Sequence, residues 1–175
     1  LTTIPVVLFP GNAFQLTNKA DALLLLSLIS GRNAEWLIGQ HVQAAKAIQQ
    51  SALETISTGY ILIDGGNTTA VERVSKTKPL QRDAIDEVVS TALAGQLLGH
   101  KLIYLEAGSG ALNPVPTALI KAVKKAIDIP LIVGGGLTST DAIKQAYEAG
   151  ADIVVVGNYL ETHLEKMVDF CAVRN

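Results

Sequence analysis

The chain has 175 residues, 49% of them hydrophobic, enough for one domain with a substantial core. A net charge of −2 offers no basic field for nucleic acid, and a single cysteine, Cys171, excludes an internal disulfide framework. No apolar run approaches the roughly 20 residues of a membrane-spanning helix, so a cytoplasmic protein is expected, with Cys171 a plain thiol in a reducing compartment.

Residues 4–9 read as a first strand, with Pro10-Gly11-Asn12 as its turn. The leucine run at 22–26 follows too soon for a long helix between, and reads as a second strand. Asn33 is placed to cap a helix running to about Gln50, with Trp36, Leu37, Ala44, Ala45 and Ile48 near one face. Residues 55–63 form a third strand, closed by the turn Asp64-Gly65-Gly66-Asn67, and the polar stretch 71–82 reads as a loop. Asp83 then caps a helix with Asp86 and Glu87 in its first turn, an apolar stripe of Ile85, Val88, Val89, Ala92 and Leu93, and Gly99 at its end. Residues 101–106 form the fourth strand. Pro116 opens a helix with Leu119, Ile120, Val123 and Ile127 turned inward, and residues 131–133 form the fifth strand. Thr138 and Asp141 resemble a capping pair for a helix ending at Gly150. Residues 153–156 form the sixth strand and a terminal helix closes the chain.

The last three strands are short and apolar without alternation, as in a parallel sheet covered on both faces. Each is followed by glycine where the chain leaves the strand. Ligands of such sheets bind at the C-terminal strand ends, so Glu106, Gly108, Ser109, Gly134, Gly135, Gly136, Gly157 and Asn158 should share one mouth. Gly134-Gly135-Gly136 and Gly157, one unit apart, suit either tight turns or a backbone cradle for phosphate; the pair together favours the cradle. Glu106 follows an apolar run, where burial raises a carboxylate toward the range of a useful base, or where it serves as a structural carboxylate. Tyr104 alternates with Glu106 and points the same way. His41, His100 and His163 lie on or beside helices, away from the strand ends, and read as surface or structurally satisfied. No His/Cys cluster suggests zinc. A doubly wound sheet would carry its phosphate fingerprint in the first turn, and Pro10-Gly11-Asn12 is not one. Glycine loops after the last two strands match a barrel's phosphate site after strands seven and eight.

The string Tyr104-Leu105-Glu106-Ala107-Gly108-Ser109-Gly110, with Gly134-Gly135-Gly136 and Gly157-Asn158, resembles the geranylgeranylglyceryl phosphate synthase family, which includes bacterial heptaprenylglyceryl phosphate synthases. Leu8-Phe9-Pro10-Gly11-Asn12 and Thr58-Gly59-Tyr60 fit its earlier units, and the likeness covers essentially the whole chain. The resemblance implies a (β/α)8 TIM barrel, of which residues 1–175 supply strands three to eight as a single domain. It implies a prenyltransferase of ether-lipid biosynthesis, joining sn-glycerol 1-phosphate to a polyprenyl diphosphate, with geranylgeranyl diphosphate the expected donor. Glu106, with Tyr104, would be catalytic, Glu106 taking the proton of the glycerol C3 hydroxyl. Residues 104–110, the triple glycine and Gly157-Asn158 would hold the glycerol phosphate.

Magnesium is the implied counter-charge for the diphosphate, yet the family's metal ligands follow its first two strands. None is therefore assigned here, and residues 1–175 alone are expected to be inactive and prone to aggregate. A homo-oligomer, dimer or hexamer, and transient membrane contact are further expectations. Leu23 to Leu26 would wall the prenyl groove or simply fill the core, and Trp36 would line the groove or an interface. The alternatives are another phosphate-binding TIM-barrel enzyme, such as a phosphosugar isomerase, or a non-catalytic phosphate-binding barrel. A branched side chain at Gly135 is expected to block the anion while the barrel still folds.

Overall fold

The computed structural model describes residues 3–12 and 15–173. Its frame is a curled parallel sheet of six strands: β1 (Val7–Leu8), β2 (Ala22–Leu28), β3 (Glu54–Leu62), β4 (Leu102–Glu106), β5 (Leu131–Gly134) and β6 (Ile153–Val155). They lie side by side in sequence order, each parallel to the last. A doubly wound sheet reverses its order at a switch point; this one never does. Among the described residues no helix is long and apolar enough to cross a membrane.

Alternation along the strands divides the core. Ile61, Ile63, Ile103, Leu105, Leu131 and Val133 turn outward onto α3 (Ile85–Leu97) and α4 (Thr117–Ala126), meeting Val88, Ala92, Leu119, Ile120 and Val123. Leu24, Leu28, Tyr60, Leu62, Leu102, Tyr104 and Ile132 turn inward as a second cluster. The register aligns Tyr60 with Tyr104 and Ile132, then Leu62 with Glu106 and Gly134 one pleat higher. Strand pairing thus brings Glu106 beside the triple glycine.

Several local expectations are corrected. The first strand is only two residues long. The helix after Asn33 opens with a π-helical turn (Glu35–Gly39), the Asn33 side chain accepting from the Glu35 N–H at 3.0 Å, before α1 (Gln40–Gln50). A π turn holds more residues than an α turn, so the inward face shifts: Ala44 is buried while Ala45 is exposed. Within 71–82 lies a helix, α2 (Ala70–Ser75), opened by a capping box. Thr69 Oγ1 accepts from the Glu72 N–H, and the Glu72 carboxylate accepts from the Thr69 N–H. Asp83 does not cap α3; Ala84 stands at that position without a side-chain bond. The cap of α5 (Thr140–Glu148) is Ser139, not Thr138, its hydroxyl accepting from the Ala142 N–H at 3.2 Å. The terminal helix is broken into α6 (Asn158–Thr162), a 3-10 turn (Leu164–Lys166) and α7 (Met167–Ala172).

Candidate active site

The inner face of the sheet and the loops leaving its C-terminal ends enclose a cavity of about 670 Å³. One end is polar and glycine-lined: Glu106, Gly108, Ser109 and Gly110 after β4, Gly135 and Gly136 after β5, Gly157 and Asn158 after β6. The other end is apolar, with Leu23 to Leu26 of β2 facing Trp36, Ala44 and Ile48. Among the described residues no lysine or arginine lines either end.

The backbone explains the glycines. Gly108, Gly135 and Gly136 all adopt positive φ. At Gly135 an added Cβ would also lie 2.5 Å from Glu106 Oε1 and 2.7 Å from the Gly108 nitrogen. The turn after β5 therefore passes directly over Glu106. The Ser109 hydroxyl donates to Asn158 Oδ1, joining the β4 and β6 loops across the cradle. Leu105 and Ala107 are fully buried; Leu105 turns outward onto the helices, so it supports the string from behind.

Glu106 is 7% exposed. Burial lifts its carboxyl above the ordinary carboxylate value, while the adjacent Tyr104 hydroxyl and the Gly108 N–H pull it back. The Gly108 N–H donates to Oε1 at 2.8 Å, leaving Oε2 toward Gly134. Tyr104 is fully buried, with its phenol pushed well above its ordinary value by burial first and the Glu106 charge second. Its hydroxyl lies beside Glu106 but does not meet it in hydrogen-bond geometry. Among the described residues it is the buried side-chain polar atom without a partner. Phe9 and Tyr60 pack around it, with ring centroids 5.4 and 5.3 Å from that of Tyr104.

An unpaired buried hydroxyl costs about 1–3 kcal/mol. Tyr104→Phe is therefore expected to leave the unliganded protein at least as stable as wild type, most clearly at low pH, where Glu106 carries no charge for the hydroxyl to favour, and to weaken binding of sn-glycerol 1-phosphate. Thermal unfolding and calorimetry read the two effects. A variant less stable than wild type would show that the hydroxyl is satisfied.

Two features escape the sequence reading. His41 is structurally satisfied, its Nε2 hydrogen-bonding the Leu26 carbonyl at 2.8 Å, but its ring also lines the cavity. The shifted helix phase brings it there. Tyr60 joins Tyr104 through the pairing of β3 with β4, and Phe9, just past β1, reaches both rings across the curled sheet. His100, by contrast, is held by Ser57 at 2.8 Å, and His163 stacks on Tyr159. Among the described residues no three His, Cys, Asp or Glu side chains converge as metal ligands.

A model of the PcrB family matches residues 1–174. The chain belongs to the PcrB family. The geranylgeranylglyceryl phosphate synthase of Zunongwangia profunda is 58% identical over 160 residues, 91% of this chain and 68% of that protein. The synthase of Pyrococcus furiosus is 42% identical, over 91% of this chain and 63% of that one. The crystal structure of (S)-3-O-geranylgeranylglyceryl phosphate synthase from Thermoplasma acidophilum contains its substrate sn-glycerol-1-phosphate. It superposes with a TM-score of 0.87 at 36% identity, covering 98% of this chain and 68% of that one. This chain thus spans about two thirds of the length of these PcrB-family relatives.

Proposed function

We propose that this chain carries the acceptor site and the apolar groove of a geranylgeranylglyceryl phosphate synthase, a prenyltransferase. One observation carries the reading: a buried carboxylate, Glu106, stands where a glycine-lined cradle meets an apolar cavity. Relatives of that name, and a closely similar structure holding sn-glycerol-1-phosphate, support it. The six strands in sequence order are then strands three to eight of a (β/α)8 barrel.

In this reading the phosphate of sn-glycerol 1-phosphate rests against the backbone of Gly108 to Gly110, Gly135-Gly136 and Gly157-Asn158. Uncharged donors suffice where the backbone amides that meet the anion are already oriented by the turns. Oε1 of Glu106 stays on the Gly108 N–H, and Oε2 accepts the proton of the C3 hydroxyl. As that proton moves, the oxygen bonds to the allylic carbon of the prenyl diphosphate. The carbon–oxygen bond to diphosphate breaks and diphosphate leaves. The allylic carbon bears positive charge on the way, so positioning the acceptor matters more than strong nucleophilicity. The prenyl tail lies along Leu24, Leu26, Trp36, Ala44 and Ile48. Magnesium, which the family resemblance implies, would supply charge to the diphosphate. The described side chains form no ligand set for it, and no step here runs through it.

A purified protein that joins this chain to the first two strand–helix units of the barrel, supplied with sn-glycerol 1-phosphate, geranylgeranyl diphosphate and Mg²⁺, should form the prenyl ether. sn-Glycerol 3-phosphate should react far more slowly, because the cradle fixes the phosphate and Glu106 then meets the hydroxyl of one enantiomer. Binding of the glycerol phosphate with no ether formed would overturn the catalytic reading.

A further inference from the structure

Helix α2 is the wall shared by the apolar cavity and the outside. Val71 lines the cavity, and Thr69, its cap, packs against the Gly108 position. The exposed residues of α2 include Arg73 and Val74, with Lys76 at its C-cap and exposed Lys78 just beyond. Val74 is 64% exposed. Glu72, the acid within this helix, is turned onto the Thr69 N–H at 2.7 Å and does not face the cations. Among the described residues none of Arg73, Lys76 and Lys78 is ion-paired. Arg73 donates to the Thr68 carbonyl at 3.1 Å and keeps its charge toward solvent; Arg82 is tied to the carbonyls of Asp64 and Asn113.

The chain as a whole has a net charge of −2, so this cluster departs from its average. The neighbouring loop is fixed to the same rim, the Asn67 amide donating to the Gly110 carbonyl and the Asn113 N–H to the Gly65 carbonyl. That loop carries Leu112, 74% exposed. Cations flanking exposed apolar side chains on a short helix suit the interface of an anionic bilayer, with charge at the headgroups and Val74 beneath them.

We propose that α2 and Lys78 form a docking surface for anionic lipid, seating the rim of the cavity on the bilayer. This rests on the prenyltransferase reading only for its purpose: an apolar donor and a lipid product would pass between bilayer and cavity without crossing water. The contact is peripheral and reversible. Each cation near an anionic surface strengthens binding about five-fold, so three contribute on the order of a hundred-fold.

The test is co-sedimentation of the protein with vesicles of phosphatidylcholine alone, or of phosphatidylcholine with phosphatidylglycerol, without substrate. Wild type should prefer the anionic vesicles, and the preference should fade with salt. The variant Arg73→Gln/Lys76→Asn/Lys78→Gln should lose most of it, and Val74→Ser part of it. Asn suits position 76, where φ is +55°. Circular dichroism checks the fold of both variants. Equal affinity for both vesicle types, or a preference unchanged in both variants, would overturn the proposal. Prenyl transfer from a short water-soluble prenyl diphosphate, measured without vesicles, should be unchanged in both. Its absence from wild type would count against the prenyltransferase reading and leave the vesicle result standing.

Discussion

Glu106→Gln is expected to lower prenyl transfer by about 10²–10⁴, the usual contribution of a positioned base. Gln keeps the reach and can still accept from the Gly108 N–H, which meets Oε1 at 2.8 Å. It cannot take the hydroxyl proton. Glycerol phosphate binding should weaken far less than turnover, and single-turnover kinetics beside calorimetry separate the two. Near-normal turnover would remove Glu106 from the chemistry. The same variant should be more stable than wild type at neutral pH. Burial raises the folded-state value of the carboxyl above its ordinary 4.5, so between the two values the folded protein holds the proton more tightly than the unfolded chain. Wild type therefore loses stability as pH rises through that interval, and Gln, which never ionises, does not. The melting-temperature gap between variant and wild type should close as the pH falls below the ordinary carboxylate range. A gap that is independent of pH would mean that Glu106 is not held against ionisation.

What the sequence discloses, and what it hides, follows from the range of the forces involved. The strands were legible because runs such as Leu102 to Leu105 are apolar without interruption, which only a sheet covered on both faces explains. Their glycines and Glu106 were legible because chain direction alone puts all strand ends at one mouth. Helix α2 was overlooked although its capping signal, Thr69 followed by Glu72, stood in plain view; one apolar residue facing the core, Val71, gives too little periodicity in six residues. The place of His41 in the cavity lining is hidden for another reason. Trp36 and Leu37 lie within the π turn, which rotates everything after it, His41 included. No residue in Glu35–Gly39 announces that turn. The partnerless Tyr104 hydroxyl belongs to tertiary packing, where Phe9, just past β1, and Tyr60 of β3 pack on the Tyr104 ring.

Gly135→Val is expected to abolish both phosphate binding and native stability, so it does not report on the anion alone. A side chain there meets protein before it meets ligand. Its Cβ would stand 2.5 Å from Glu106 Oε1, 2.7 Å from the Gly108 nitrogen and 2.8 Å from that of Ala107. None of these atoms is the end of a free side chain: two are backbone, and Oε1 is held by the Gly108 N–H. The position also has φ of +85°, which costs a β-branched residue about 1–3 kcal/mol before any collision is counted. Overpacking adds about 1–3 kcal/mol more, a large fraction of a domain's usual stability. Relief would require β4 and β5 to part where Glu106 pairs with Gly134. Gly157 offers the cleaner test. It has φ of −103°, and an added Cβ would have nothing within 4 Å. Gly157→Ala should therefore fold nearly as wild type and lose affinity for sn-glycerol 1-phosphate, because the methyl group occupies space left for the anion. If calorimetry found Gly157→Ala binding unimpaired while Gly135→Val remained folded and bound normally, the glycine turns would be structural and the phosphate would lie elsewhere.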